Sequence, residues 1–421
     1  MSQRASLLFV APILPAQAGN GLAMRAGVFL DALARDFHIT LLVVPVAGGP
    51  DGRAAGFVAA RTRRAVTLSL DKKLDPLWEM CSRVRDPTAR TAALADYPRP
   101  ALCRHATTPC LDEARTALSG ERFDVVHVMR SYLVPYAAPF LAGIGDTGPP
   151  FASLDLDDDE TTTHDGIAAL LERLGLGHEA RVEAAEASKY VRHEAEWLPR
   201  FRQLITCTAA HAQKIEHGYP NCRVATVPNT IALPLYVPPR PASQGRILFV
   251  GNLSYVPNID AIRSFALEVF PTLRRGFGNK LALRIAGSAP APEVAALTAL
   301  PGVELVADPA DLAKHYAWAN LAVVPLRAGG GTRIKLLEAF AHGVPVVASR
   351  IGAEGIAAEH RVHVLLADSS EAIAEACSEL LSDAQLAAHL AASALRLVES
   401  RYAHECGVSI IRDAFARCSA T

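Results

Sequence analysis

The chain has 421 residues, 50% of them hydrophobic, which is enough for two or three domains with cores of their own. Its 42 basic and 43 acidic residues give a net charge of −1, which excludes a general electrostatic attraction to nucleic acid. No stretch reaches the ~20 apolar residues of a membrane-spanning helix. The eight scattered cysteines lack zinc-ligand and C-x-x-C spacing, as expected for reduced thiols in the cytoplasm.

The first apolar run, SLLFVAPIL at 6–14, is short and contains Pro12, so we interpret it as a β-strand and not as a signal peptide. Similar runs alternate with helical patterns through the first half of the chain. The strands predicted there are 7–11, 38–44, 124–128, 151–156, 203–207 and 223–228. The proline-rich residues 227–245 follow. Because proline disfavours both helices and central strands, we predict an extended linker there.

The same alternation resumes after the linker. The strands predicted in the second half are 246–251, 281–287, 303–306, 321–326, 344–349 and 362–367. Alternating strands and helices predict parallel sheets covered by helices on both faces. We therefore predict an α/β protein with two Rossmann-like domains, 1–235 and 236–395, whose parallel sheets face each other across a ligand-binding cleft. A last helical pattern, 396–421, comes after the second sheet is complete.

Two segments of the first half carry notable residues close to the ends of predicted strands. Gly19 and Gly21 follow the first strand, where glycines suit either a loop close to a ligand or a plain tight turn. His127 ends the strand at 124–128, and Arg130 lies just beyond it. This histidine is either a residue of the functional site or a hydrogen-bonded residue of the core.

An acidic run follows the strand at 151–156, with four aspartates and one glutamate in residues 155–160. Carboxylates are ligands that Mg²⁺ accepts, so a metal site is one interpretation. A second is that Asp157 or Asp158 lies at the cleft and orients an acceptor hydroxyl. A third is a solvated acidic loop, and the sequence alone leaves all three open.

The segment 61–104 has a local excess of positive charge, with ten Lys or Arg and five Asp or Glu. Leu77, Trp78 and Met80 lie between these charges. One interpretation is a solvated helical region. The other is a face that contacts anionic lipid or an anionic acceptor.

The most informative stretch is RAGGGTRIKLLEAFAHGVPVVAS, residues 327–349. Gly329, Gly330 and Gly331 follow the strand at 321–326 and allow backbone amides to approach a ligand. Thr332 is the predicted N-cap of a helix whose first turn carries Arg333 and Lys335. Positive charges are unfavourable at a helix N-terminus, unless a bound anion lies there. The pattern therefore predicts a diphosphate site, with Arg333 making a two-pronged contact.

The predicted helix also aligns Lys335 with Glu338 and His342 along one stripe, while Ile334, Leu337 and Ala341 form the buried stripe. A carboxylate just past a phosphate site is well placed to accept hydrogen bonds from ribose hydroxyls. The motif thus indicates a nucleoside-diphosphate binder. The alternative is that Lys335 and Glu338 form a surface ion pair, which leaves the three glycines unexplained.

These motifs resemble those of retaining glycosyltransferases with the two-Rossmann-domain GT-B fold, of the family 4 or group 1 type. The resemblance rests on GGGTRIKLLEAFAHGVPVVAS, the preceding YAWANLAVVPL, RILFVGNLSYVPNIDAI at 246–262 and VPNTI at 227–231. It is strongest over 223–356. It implies that Glu338 holds the donor ribose, that the final helix crosses back to the first domain, and that catalysis uses basic residues and a helix dipole instead of a metal cofactor.

The resemblance also implies roles in the first domain and reveals two departures. The loop of Gly19 and Gly21 would approach the donor phosphates or the acceptor, and His127 would lie near the transferring sugar. Many members have a glutamate that contacts the donor sugar where this chain has Gly330. Many grip the diphosphate with Arg and Lys in the loop where this chain has Asn252. The positive charge is instead at Arg333 and Lys335, as in a subset of the family.

The sequence therefore predicts a glycosyltransferase that transfers a sugar from a nucleoside-diphosphate donor to an acceptor hydroxyl with retention. The predicted catalytic residues are His127, Arg333 and Lys335. The acceptor would be a glycan, a lipid-linked glycan or a small metabolite, and the protein would be cytoplasmic, with peripheral membrane contact through 61–104. The rivals are a sugar-nucleotide 2-epimerase and a non-catalytic GT-B accessory subunit.

Overall fold

The computed structural model describes residues 4–48, 54–70, 74–142, 148–238, 245–331 and 333–416. The chain divides into two compact units, Met1–Thr230 with His404–Thr421, and Ile231–Ala403. Within the described ranges, no helix combines the length and the apolar character that crossing a membrane would require.

The first unit is built on a seven-stranded parallel sheet of order β3-β2-β1-β4-β5-β6-β7. Its strands are β1 Ser6–Ala11, β2 His38–Val43, β3 Arg64–Thr67, β4 Val125–Met129, β5 Phe151–Asp157, β6 Gln203–Thr206 and β7 Arg223–Thr226. Successive side chains of β1 enter opposite cores, with Leu8 and Val10 in one cluster and Phe9 in the other. The sheet is therefore buried on both faces, which explains why its central strands are continuous apolar runs.

Strand β3 was not among the predicted strands. It lies in the segment 61–104, for which a solvated helical region is one of the two interpretations from sequence, and it has only four residues, most of them exposed. A short polar strand at a sheet edge has no apolar run to reveal it, and pairing with β2 is what makes it a strand.

The helices of the first unit connect these parallel strands. They are α1 Gly21–Leu33, α2 Ala55–Ala59, α3 Pro76–Ser82, α4 Pro87–Asp96, α5 Thr108–Ala117, α6 Val134–Ala137, α7 Glu160–Arg173, α8 Gly177–Trp197 and α9 Ala209–Gly218. Asp75, Asp86 and Asp159 cap α3, α4 and α7 by accepting hydrogen bonds from backbone N–H groups of the first turns. Such caps satisfy amides that have no partner within the helix.

The second unit has a six-stranded parallel sheet of order β10-β9-β8-β11-β12-β13. Its strands are β8 Arg246–Val250, β9 Ala282–Gly287, β10 Val303–Ala307, β11 Leu321–Val324, β12 Val346–Ala348 and β13 Leu365–Leu366. Its helices are α10 Val256–Ser264, α11 Phe270–Phe277, α12 Pro292–Ala295, α13 Ala313–Trp318, α14 Ile334–Ala341, α15 Ser370–Ser382 and α16 Ala384–Arg401. Two parallel-sheet α/β units of this kind confirm the predicted fold class.

The last helix, α17 His404–Phe415, returns to the first unit. Val408, Ile411 and Phe415 join the apolar cluster that contains Phe9, and Arg412 pairs with Asp36 at 2.7 Å. Helix α16 continues to Arg401, past residue 395, where we place the end of the second domain from sequence. Its buried face extends through Val398, so the helix is held in the second unit beyond the predicted boundary.

Candidate functional site

The strand order of the second sheet reverses between β8 and β11. In open parallel sheets, ligands bind outside the carboxyl ends of the strands at such a point, because the helices that follow the two strands lie on opposite faces. The loop 251–255 leaves β8 and leads into α10, and the loop 325–333 leaves β11 and leads into α14. The predicted phosphate motif therefore lies at the switch point of this sheet.

The glycine loop after β11 has the backbone that its sequence predicts. Gly329 and Gly331 have φ of 120° and 69°, values that side chains disfavour and glycine adopts freely. Helix α14 begins at Ile334, with Arg333 in the N-cap position and no side-chain cap. The predicted N-cap, Thr332, lies outside the described residues. Ile334 is partly exposed, so the buried stripe of the helix is shifted toward Leu336 and Phe340.

Arg333 differs from the prediction of an open, two-pronged anion ligand. Its side chain is only 7% exposed and lies 3.4 Å from Glu354. Its Nε donates to the Ile351 carbonyl at 3.0 Å, and Nη1 donates to the Gly330 carbonyl. Three of the five N–H donors of the guanidinium thus hold the glycine loop against residues 351–354. This contact joins segments far apart in sequence, so the motif alone gave no sign of it.

Lys335 presents its ammonium at the carboxyl end of β8. Its Nζ donates to Asn258 Oδ1 at 2.5 Å and lies 5.0 Å from the centroid of the Phe249 ring. Burial, reinforced by the nearby positive charge of Arg333, lowers the pKa of Lys335 to about 7. Such a lysine changes charge near neutral pH, and a bound anion would favour its charged form.

Glu338 lies one turn after Lys335 and accepts a hydrogen bond from the Tyr316 hydroxyl at 3.0 Å. Burial raises the pKa of Glu338, although Tyr316 and Lys335 oppose the shift. The Tyr316 ring stacks on His342 with centroids 4.9 Å apart and planes at 7°. Lys335 and Glu338 thus have separate partners, Asn258 and Tyr316, and a surface ion pair does not account for their arrangement.

Asn252, also predicted at the site, shapes the loop after β8. Its Oδ1 accepts hydrogen bonds from the Ser254 N–H at 3.0 Å and from the Ser254 hydroxyl at 2.8 Å. Its backbone carbonyl accepts a hydrogen bond from Asn258 Nδ2 at 2.8 Å. The side chain is exposed and serves the turn itself, while its carbonyl connects the loop to the partner of Lys335.

The predicted glycine loop of the first unit lies at the corresponding switch point, between β1 and β4. Gly19 has φ of 103° and open space where a side chain would be. Asn20 caps α1 by accepting from the Leu22 N–H at 2.8 Å, and Gly21 is the first residue of that helix. The loop thus leads into a helix N-terminus, which suits either a ligand loop or a turn.

His127 has none of its surface exposed. Its ring stacks on Phe29 at 4.9 Å and lies 5.2 Å from Phe9 and 5.4 Å from Phe415, and Nδ1 lies 3.3 Å from Ser153 Oγ. Burial lowers the pKa of His127 to about 3, so the ring is neutral. This geometry favours the interpretation of His127 as a core residue over its interpretation as a residue near the transferring sugar.

We expect His127→Leu to retain transfer activity within about twofold and to change the acid stability. The folded-state pKa of about 3 lies below the ordinary value of 6.5, so the unfolded chain binds more protons between these pH values. Wild-type stability should therefore fall as the pH drops below 6.5. Between pH 7 and 5, the free energy of unfolding of the variant should fall by about 2 kcal/mol less than that of wild type, as measured by urea unfolding. A folded variant without transfer activity would restore a catalytic role.

Sequence reasoning missed a buried charge network at the carboxyl ends of β4 and β5. Arg25 donates from Nε and Nη2 to the two oxygens of Asp155, both at 2.7 Å, and its Nη1 donates to the Val227 carbonyl at 2.9 Å. Asp157 lies 3.4 Å from Arg25 and 3.7 Å from Arg130. Arg25 lies in a helical pattern without a motif, so the acidic run alone did not reveal its partner.

Two residues of this network have strained backbones. Arg130 and Asp157 have φ of 68° and 56°, and the pairing of β5 with β6 shifts register between Asp155 and Asp157. Such a bulge turns a side chain away from the regular alternation of a strand, and strained residues that are not glycine are concentrated at functional sites. Within the acidic run, Asp155 and Asp157 are therefore ordered by arginines, unlike the residues of a solvated acidic loop.

Comparisons with known proteins agree with this geometry. Residues 244–383, which hold the β8 and β11 loops, match the family model of Glycosyl transferases group 1. No curated protein matches the chain significantly.

Solved structures match both units. Anabaena HepE, solved in complex with UDP and glucose, superposes with a TM-score of 0.64 at 15% identity, covering 98% of this chain and 99% of its own. Sucrose-phosphate synthase from Thermosynechococcus elongatus gives 0.66 at 14% identity, covering 99% and 100%. S. aureus TarM, in complex with fondaparinux, α-GlcNAc-glycerol and UDP, gives 0.63 at 10% identity, covering 98% and 99%. The chain thus has the predicted GT-B fold, and residues 244–383 of its second unit match the group 1 glycosyltransferase model.

Proposed function

We propose that the protein is a retaining glycosyltransferase of the family 4 type, which transfers a hexose-type sugar from a nucleoside-diphosphate donor to an acceptor hydroxyl. The observation that carries this proposal is the Lys335 ammonium, partnered by a neutral amide at the switch point of β8 and β11. Among the described residues, one of its three N–H groups donates to Asn258, which leaves two for a ligand. The structures of HepE and TarM, which contain UDP, support a nucleotide as the ligand.

The reaction places negative charge on the departing diphosphate as the bond to the sugar breaks. Lys335, the amides of the glycine loop and the N-terminus of α14 lie together and would stabilise that charge. Arg333 would act by holding the loop in place, with two N–H donors left for the ligand. Glu338 can accept hydrogen bonds from ribose hydroxyls at Oε1, the carboxylate oxygen that does not accept from Tyr316. We propose that these groups act without a metal cofactor.

Retention in a single displacement requires the acceptor to attack the face from which the diphosphate leaves. We propose that the departing phosphate takes the acceptor proton, since the described part of the switch point offers Lys335 and Glu338 but no unpaired histidine. The first unit would bind the acceptor, with the loop of Gly19 and the strained strand end at Asp157 nearest to it. A glycan, a lipid-linked glycan or a small hydroxylated metabolite would fit this role.

We also propose that the protein is cytoplasmic and touches the membrane through α3. Leu77 and Met80 are 45% and 69% exposed, and Arg83 follows one turn later. Apolar side chains beside arginines suit the interface of an anionic bilayer. Wild-type protein should co-sediment with phosphatidylserine vesicles, and a variant with Leu77→Asp and Met80→Asp should not. Wild-type protein that stays entirely in the supernatant would refute this contact.

The test of the function is incubation with a panel of nucleotide sugars. Thermal shift identifies the donor, and product analysis with and without an acceptor mixture identifies the reaction. We expect nucleoside diphosphate to form together with an α- or β-linked product that keeps the configuration of the donor. An epimerised sugar nucleotide formed without acceptor would show the epimerase instead. Absence of binding to every donor would favour a non-catalytic accessory subunit. Gly330, which replaces a glutamate found in many family members, is the feature that supports this alternative.

A further inference from the structure

Asn258, in the first turn of α10, is buried with 5% exposure. Its Nδ2 donates to the Asn252 carbonyl at 2.8 Å, and its Oδ1 accepts from Lys335 Nζ at 2.5 Å. A carbonyl only accepts and an ammonium only donates, so these two partners fix which end of the amide is oxygen. One side chain therefore connects the loop after β8 to the first turn of α14, 77 residues away.

The surroundings allow this amide and the ammonium little movement. A Cβ on Gly251 would lie 2.9 Å from Asn258 Nδ2 and 3.0 Å from Lys335 Nζ. A Cβ on Gly287 would lie 1.8 Å from the Gly251 carbonyl oxygen. The backbone after β8 thus lies directly against the pair, the end of β9 lies against Gly251, and Phe249 covers the ammonium from β8. Only glycine at 251 and 287 leaves the space that the contact needs.

We propose that Asn258 is a positioning residue of the donor site. Its oxygen holds the Lys335 ammonium at the carboxyl end of β8, and its amide N–H couples that ammonium to the loop after the strand. This inference rests on the proposed function for its ligand, a nucleoside diphosphate. A neutral oxygen leaves the positive charge of Lys335 free to attract the diphosphate, whereas a carboxylate at 258 would neutralise it.

The charges around the ammonium are few. Arg333 and Glu338 act on it from α14 itself, while α10 contributes the neutral Asn258 and β8 the apolar Phe249. Replacement of Asn258 by aspartate therefore adds one negative charge in direct contact, with almost no change of shape. The change also removes the N–H donor to the Asn252 carbonyl, so Asn258→Ala, which removes both hydrogen bonds without adding charge, separates the effect of the charge from the loss of the contact.

The experiment compares wild type, Asn258→Asp, Asn258→Ala and, as a matched control, the exposed Asn221→Asp. Proteins carrying lysine labelled with ¹³C at Cε are titrated by NMR without ligand, with Lys335→Arg identifying the signal. UDP affinity is measured by calorimetry from pH 6 to 9. Asn258→Asp should raise the titration midpoint of Lys335 by about one to three pH units and weaken UDP binding at pH 7 by about tenfold or more. Asn258→Ala should weaken binding without raising the midpoint.

The titration midpoint of Lys335 and the UDP affinity together distinguish a failure of this inference from a failure of the proposed function. An unchanged midpoint and unchanged UDP affinity in Asn258→Asp would overturn the role of Asn258, even if wild type binds UDP tightly. A raised midpoint in protein that binds no nucleotide would support the contact with Lys335 and contradict the proposed donor. Asn221→Asp should match wild type in both measurements, and an equal effect there would also overturn the inference.

Discussion

Lys335→Met is expected to reduce sugar transfer by about 100- to 1,000-fold, the usual effect of removing one preorganised donor from a developing anion. Methionine keeps an unbranched apolar side chain, and removes the charge, its contact with the Phe249 ring and the bond to Asn258. The loss should be larger in kcat than in KM, because the charge on the diphosphate grows as the bond breaks. Steady-state kinetics with the donor from the panel provide the measurement.

The lowered pKa of Lys335 also predicts how the affinity for the nucleotide changes with pH. The pKa of Lys335 is lowered from 10.5 to about 7. In the free protein its side chain is therefore charged below pH 7 and neutral above it. The affinity for a nucleotide sugar, whose diphosphate has no terminal phosphate group to titrate at about pH 6, should be constant below pH 7 and fall by up to about tenfold per unit above it. Lys335→Arg keeps a permanent charge and should lose this slope. Lys280→Met removes an exposed lysine of the same unit and should behave as wild type. Activity of Lys335→Met within about threefold of wild type would contradict the site.

Asp155→Asn is expected to destabilise the first unit by about 3–5 kcal/mol. The side chains of Arg25 and Asp155 are 2% and 0% exposed, and an amide cannot accept both N–H groups of the guanidinium. The variant therefore leaves a buried cation without its principal counter-charge. Chemical denaturation followed by tryptophan fluorescence measures the change, in a Trp318→Phe background so that Trp78 and Trp197 report on the first unit alone.

The control for this prediction is Glu79→Gln. Glu79 pairs with Arg83 at 2.8 Å, with side chains 41% and 76% exposed. Exposed pairs on one helix contribute about 0.5 kcal/mol or less, so the control should unfold near the wild-type midpoint. Equal effects of the two substitutions would show that the network of Arg25 does not stabilise the first unit.

The fold was largely predictable from the sequence because its sheets are buried on both faces. Strands such as β1 and β11 are continuous apolar runs separated by helical patterns, and that alternation permits few other folds. Strand β3 escaped prediction because a short, exposed edge strand has a polar sequence. The C-terminal end of α16 was not predictable because a helix ends where its packing against the rest of the unit ends. The sequence shows only the helical periodicity.

The candidate site was predictable only in its local part. Lys335 and Glu338 share one face of α14 because helical spacing alone places them there. Their partners Asn258 and Tyr316 lie 77 and 22 residues away, and Arg333 donates to the Ile351 carbonyl, 18 residues away. Helical periodicity likewise could not show that Phe29 and Phe415 enclose His127. Contacts between distant segments depend on the packed structure, which a local pattern does not contain.

A crystal structure of the wild-type protein with UDP tests the central claim most directly. We expect a phosphate oxygen about 3 Å from Lys335 Nζ, with the diphosphate against the amides of Gly329 and Gly331 and the ribose next to Glu338. A diphosphate bound away from the carboxyl ends of β8 and β11, with the Lys335 ammonium still bonded only to Asn258, would contradict it.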